Sequence, residues 1–89
     1  MTQSRPQVSL VSCADYEPQA VYDAVKRSID LLGGIEAFIK PGSRVLLKPN
    51  LVRSMPPERA ATTHPTVVAA VARLVIEAGA HPLIADSPG

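Results

Sequence analysis

A lysine and an asparagine, Lys48 and Asn50, flank Pro49 directly after the unbroken apolar run Val45-Leu46-Leu47. Lysine holds anionic groups or, when desolvated, serves as a base, and asparagine offers both a donor and an acceptor. Further on, Thr62-Thr63-His64-Pro65 places two hydroxyls and an imidazole at a helix start, where free N–H groups attract anions. Asp86-Ser87 follows a second apolar run and supplies a carboxylate and a hydroxyl suited to a metal, a ribose or a general base. Each of these has a plain structural reading beside it. Lys48 marks a strand boundary, Asn50 closes an Asx turn, the Thr62–Thr63 stretch serves the capping that every helix start needs, and Asp86-Ser87-Pro88-Gly89 forms a turn. His64 reads as an acid, a base or a metal ligand on one side and as a cap or surface group on the other. Cys13 reads as a small buried filler before it reads as a nucleophile.

What unites these residues is the set of elements that must carry them. Val45 to Lys48 follows the turn signal Pro41-Gly42 and stops at Pro49, which predicts a strand over 44–48 buried on both faces, as in a parallel sheet. Val8 to Cys13 and Pro82 to Asp86 predict two more strands. Val21, Val25, Ile29 and Leu32 recur at helical spacing after Pro18, which predicts a helix over 18–32 ended by Gly33-Gly34. Asp23 and Arg27 stand four apart on its polar side. A short helical turn is expected over 35–39. Val67, Val71, Leu74, Val75 and Ala78 predict a broader apolar helix over 65–78, capped by Thr63 or His64 and stopped by Gly79. Leu51 to Ala61, with Pro56-Pro57, Arg53 and Arg59, has no usable period and reads as a long binding or lid loop, or else as a disordered one.

The order β-α-β-α-β describes a three-stranded parallel sheet in a three-layer, Rossmann-like α/β fold. Residues 1–89 form one such unit, and the lack of a helix after the last strand reads as the N-terminal part of a larger doubly wound domain. A small domain that covers its open face by self-association is the other reading. With all strands parallel, Cys13, Lys48, Asn50, Asp86, Ser87 and the Thr62–His64 helix start fall at the carboxyl edge, where ligands of open α/β sheets bind, while His81 falls at the opposite end.

Composition narrows the partners. Nine cations against eight anions, interspersed, and aromatics at 3% leave no footprint for nucleic acid. One cysteine excludes an intrachain disulfide or an all-cysteine cluster within these residues. No signal-peptide pattern or membrane-length apolar run is present, so a soluble cytoplasmic protein without a membrane partner is expected. The ligand this set of residues favours is a small anion. There is no G-x-G-x-x-G, P-loop, C-x-x-C or H-E-x-x-H pattern.

Three motifs in order carry a resemblance: Val45-Leu46-Leu47-Lys48-Pro49-Asn50-Leu51, Thr62-Thr63-His64-Pro65 and Ala85-Asp86-Ser87-Pro88-Gly89. With Tyr22-Asp23-Ala24-Val25-Lys26 and Leu31-Leu32-Gly33-Gly34, they resemble the opening of the bacterial and archaeal family known as domain of unknown function 362. The resemblance implies that Lys48, Asn50, Thr63, His64, Asp86 and Gly89 are motif positions, without assigning them roles. Many members carry a ferredoxin-type iron–sulfur module, which implies a cluster elsewhere in a full-length protein and none within this fragment. Thr66 stands where the family often has an acidic residue after the histidine–proline pair. Two functions stay open: a ligand-binding or catalytic domain with a redox association, or a structural module that docks through its open sheet edge.

Overall fold

The computed structural model describes residues 5–50 and 63–85. Helix α1 spans Pro18–Asp30. Its start is fixed by carboxylates: Glu17, the N-cap, accepts from the N–H groups of Gln19 and Ala20, and Asp15 accepts from the N–H of Glu17. The helix ends two residues before the predicted Leu32. Leu31 is the C-cap, and the N–H of Gly34 reaches back to the carbonyl of Ile29 at 3.0 Å, with Gly34 at φ 87°. On the polar side Asp23 takes the amide of Gln19 at 2.9 Å, and the ion pair of α1 is Lys26–Asp30 instead of the predicted Asp23–Arg27. A 3₁₀ turn over Ile35–Ala37 occupies the short helical turn predicted at 35–39.

Strand β1 is Arg44–Leu47, helix α2 is Pro65–Glu77 and strand β2 is His81–Ile84. The strands pair in parallel with Arg44 opposite His81 and Leu47 opposite Ile84. Parallel neighbours need a crossover, and α2 is that crossover. Gly79 makes its return possible. At φ 82° it adopts a conformation that costs any other residue strain, and its carbonyl accepts from the N–H of Gly42 at 2.8 Å. A Cβ there would sit 3.4 Å from Cβ of Pro41.

The core lies between the helices. Val21 and Tyr22 of α1 meet Ala70 and Leu74 of α2, with Val25, Ile29 and Val67 packed around them. Val75 and Ala80 are also buried. Tyr22 joins the two helices a second way: its hydroxyl donates to Oε1 of Glu77, while the Arg73 guanidinium lies 3.8 Å over its ring. That hydrogen bond, with burial and the Glu77 charge behind it, holds the Tyr22 hydroxyl above its ordinary pKa. The same bond holds the Glu77 carboxyl below its own, with Arg73 adding to it.

Two expectations are corrected here. The Val8–Cys13 segment forms no strand. Ser9 Oγ and Ser28 Oγ stand 2.6 Å apart and fasten it to the side of α1, where it lies over the helix's apolar stripe; Val8 and Leu10 are 83% and 90% exposed. The sheet described is therefore two-stranded, an α/β arrangement with a single parallel pair. Nor is β1 buried on both faces. Its exposure alternates residue by residue, because the helix of the crossover covers one face; Leu46 and Leu83, paired across the strands, are exposed on the other. No helix among the described residues is long and apolar enough to cross a membrane.

Candidate functional site

At the carboxyl end of β1 the chain passes through Lys48, exposed, and Pro49 to Asn50. Asn50 is tied to the start of α2 by a reciprocal pair of hydrogen bonds. The N–H of Thr63 donates to the Asn50 carbonyl at 2.7 Å, and the N–H of Asn50 donates to Thr63 Oγ1 at 3.0 Å. Thr63 is thus a clamp between strand end and helix, and the cap of α2 is the next residue. His64 accepts from the N–H of Thr66 through Nδ1 at 3.2 Å, with Thr66 Oγ1 at 2.9 Å from the same nitrogen. With His64 as the cap, Thr66 is the second residue of the helix and not the capping-box position it would hold behind a Thr63 cap, and it reaches back to the imidazole through both its N–H and its hydroxyl.

Lys48, Asn50, Thr63 and His64 therefore belong to one rim, assembled by the end of β1 and the beginning of α2. Thr62, Asp86, Ser87 and Gly89, and the Leu51–Ala61 loop, lie outside the described residues. His81 opens β2 opposite Arg44, at the amino end of the sheet, as predicted. Cys13 is not a buried filler: its thiol is exposed and donates to the carbonyl of Asp15 at 3.2 Å, because the segment that carries it lies on α1 and not inside a sheet. Among the described residues no group of three or more His, Cys, Asp or Glu is placed to hold a metal ion.

One contact was not foreseen from the sequence. Tyr16 stacks on His64 with ring centroids 3.8 Å apart and planes 6° from parallel. The only sequence hint is an aromatic residue placed just before the cap of α1. The stack brings the end of the N-terminal segment to the start of α2, so the rim gains a member 48 positions earlier in the chain than its partner, a separation no local pattern reports. On the other side of Tyr16 an open groove of about 560 Å³ runs between the N-terminal segment and the helices, lined by Val11, Cys13, Asp15, Val21, Val25 and Val67 among others. Lys48, Asn50, Thr63 and His64 do not line it.

Residues 45–89 match the family model described as Domain of unknown function (DUF362). The chain belongs to this family. The match takes in β1 from Val45, α2 and β2 with every rim residue from Lys48 onward, while Tyr16 and Cys13 precede it. Over 81 residues the DUF362 chain is 48% identical to a thylakoid-associated protein of Synechocystis sp., an alignment covering 91% of this chain and 25% of that relative. The chain thus spans about a quarter of the relative's length. No solved structure matches it.

Proposed function

We propose that this DUF362 chain supplies part of a ligand-binding or catalytic site at the carboxyl edge of its parallel sheet, and that the group bound there is a small anion. The observation that carries the reading is the Asn50–Thr63 clamp, which holds the Lys48 end of β1 against the positive end of α2. Lys48, Asn50, Thr62, Thr63 and His64 are the residues we assign to it. Asp86 and Ser87 complete the set from the end of β2. A carboxylate there works against a bare anion, and suits a hydroxyl, a metal bridging to the anion, or Lys48 itself.

In the setting of a longer protein we further read Val8–Cys13 as the strand that would join the free edge of β1. Its composition is that of a strand, and α1 and α2 pack on one another as two helices on one side of such a sheet would. That extension gives the three-stranded Rossmann-like order. The iron–sulfur cluster that the family resemblance implies does not fit the residues here, because a cluster takes about four cysteine thiolates and this chain has one cysteine. A redox role would thus come from elsewhere in a longer protein. Cytoplasmic placement is our reading of the sequence; the relative's association with thylakoids makes attachment to a membrane through other parts of a longer protein the competing one.

A second function has an observation of its own. Leu46, Leu83 and Ile84 are 56%, 50% and 60% exposed on the short sheet, which suits a module that docks through its sheet. Thermal melting of the full-length protein against inorganic phosphate separates the two. A ligand selective for the folded state raises stability by mass action, so a melting temperature that climbs with phosphate and ceases to climb in Lys48→Ala supports the site. No response in the wild type supports docking.

A further inference from the structure

We propose that His64 is held as the neutral imidazole with its proton on Nε2, so that it meets a ligand as a hydrogen-bond donor and not as a metal ligand or a base. Nδ1 faces two groups of Thr66: the backbone N–H at 3.2 Å, which can only donate, and the hydroxyl at 2.9 Å, which can donate or accept. An unprotonated Nδ1 accepts from both. A protonated Nδ1 would satisfy the hydroxyl alone, by donating to it. Its hydrogen would then meet the Thr66 N–H head-on and leave that N–H, one of the orphan donors of the first helical turn, without an acceptor. The doubly protonated ring has the same conflict and adds a positive charge at the positive end of α2.

Tyr16 fixes the arrangement from the other side. With the rings 3.8 Å apart and nearly parallel, the imidazole is held in its plane, which resists the turn about Cβ–Cγ that would put Cδ2 in place of Nδ1 at the Thr66 contacts. The carboxylates flanking Tyr16 are committed elsewhere: Asp15 accepts from the Glu17 N–H, and Glu17 caps α1. Among the described residues no carboxylate forms an ion pair with the ring. To ligate a metal or accept a proton at Nε2, the ring would have to move its hydrogen to Nδ1 and give up the cap. What Nε2–H then donates to is, on the anion reading above, an oxygen of that anion. The tautomer itself does not depend on that reading.

The test is the ¹⁵N–¹H imidazole spectrum of the full-length protein labelled at histidine, recorded at neutral pH, with His64→Asn identifying the His64 signals. Asparagine is itself a good cap, so this variant stays folded. The expected result is a single Nε2–H pattern with an unprotonated Nδ1, unchanged by equimolar zinc chloride. A solution-like mixture of tautomers, an Nδ1–H form, an imidazolium, or a zinc-induced change at Nε2 would overturn the proposal. A locked Nε2–H pattern that does not respond to inorganic phosphate upholds the tautomer and counts against the anion reading alone.

Discussion

His64 joins a backbone cap, a side-chain contact and an aromatic stack in one ring, and each can be removed separately. His64→Ala deletes all three and leaves the Thr66 N–H without its acceptor, so a loss of about 0.5–2 kcal/mol is expected from denaturant unfolding. His64→Asn restores the cap alone and should recover most of it. Tyr22 and Glu77 form the other coupled pair, and here the prediction is one of pH. The folded protein holds the Glu77 carboxyl below its ordinary value near 4.5, so the unfolded state binds more protons as the solution turns acidic. Its contribution is present above the ordinary value and is lost as pH falls through the folded one. Tyr22 has the opposite sign: held above its ordinary value near 10.0, it contributes below that value and loses the contribution as pH rises through the folded one. Tyr22→Phe should therefore flatten both the acid and the alkaline limbs of stability against pH. Unchanged limbs would mean that the Tyr22–Glu77 bond does not couple the helices.

At the scale of elements, α2 is the member on which the rest depends, since it packs on α1 through one stripe and returns the chain to the sheet. Leu74, 3% exposed in the α1–α2 core, should cost about 2–5 kcal/mol when cut to alanine. Gly79→Ala should cost about 1–2 kcal/mol through its left-handed backbone at φ 82°. Both are read from denaturant midpoints. The two helices were legible because an apolar period of 3.6 and a terminal glycine are local signals, as Val21, Val25, Ile29 and Gly34 illustrate. Strand β1 was legible in position and not in burial, because apolar residues at 45–47 do not say how many layers are present to cover them. Val8–Cys13 was legible in composition and not in placement, for a related reason. β-branched composition expresses a wish for burial, and the Ser9–Ser28 contact, 19 residues apart, decides against which surface the segment lies. At the site, the sequence named Asn50, Thr63 and His64 but left open whether Thr63 or His64 was the cap. That choice is made by the long-range clamp to Asn50, which takes the hydroxyl of Thr63.

For the whole molecule, the described residues amount to a helix pair with a two-stranded parallel sheet whose second face is open, in a chain that spans about a quarter of its thylakoid-associated relative. A site half-built at the strand ends and an apolar sheet face make different demands on the rest of a full-length protein, and Lys48 is where they part. Lys48 is exposed and follows the last residue of β1, so replacing it should leave stability within about 0.5 kcal/mol of the wild type if it has no ligand to hold. The most direct measurement is the melting temperature of the full-length protein across a phosphate titration, wild type against Lys48→Ala. An anion site at the β1–α2 rim predicts a concentration-dependent rise in the wild type that is largely lost in the variant, with equal melting temperatures when phosphate is left out. A rise of equal size in both proteins, or none in the wild type, would contradict it.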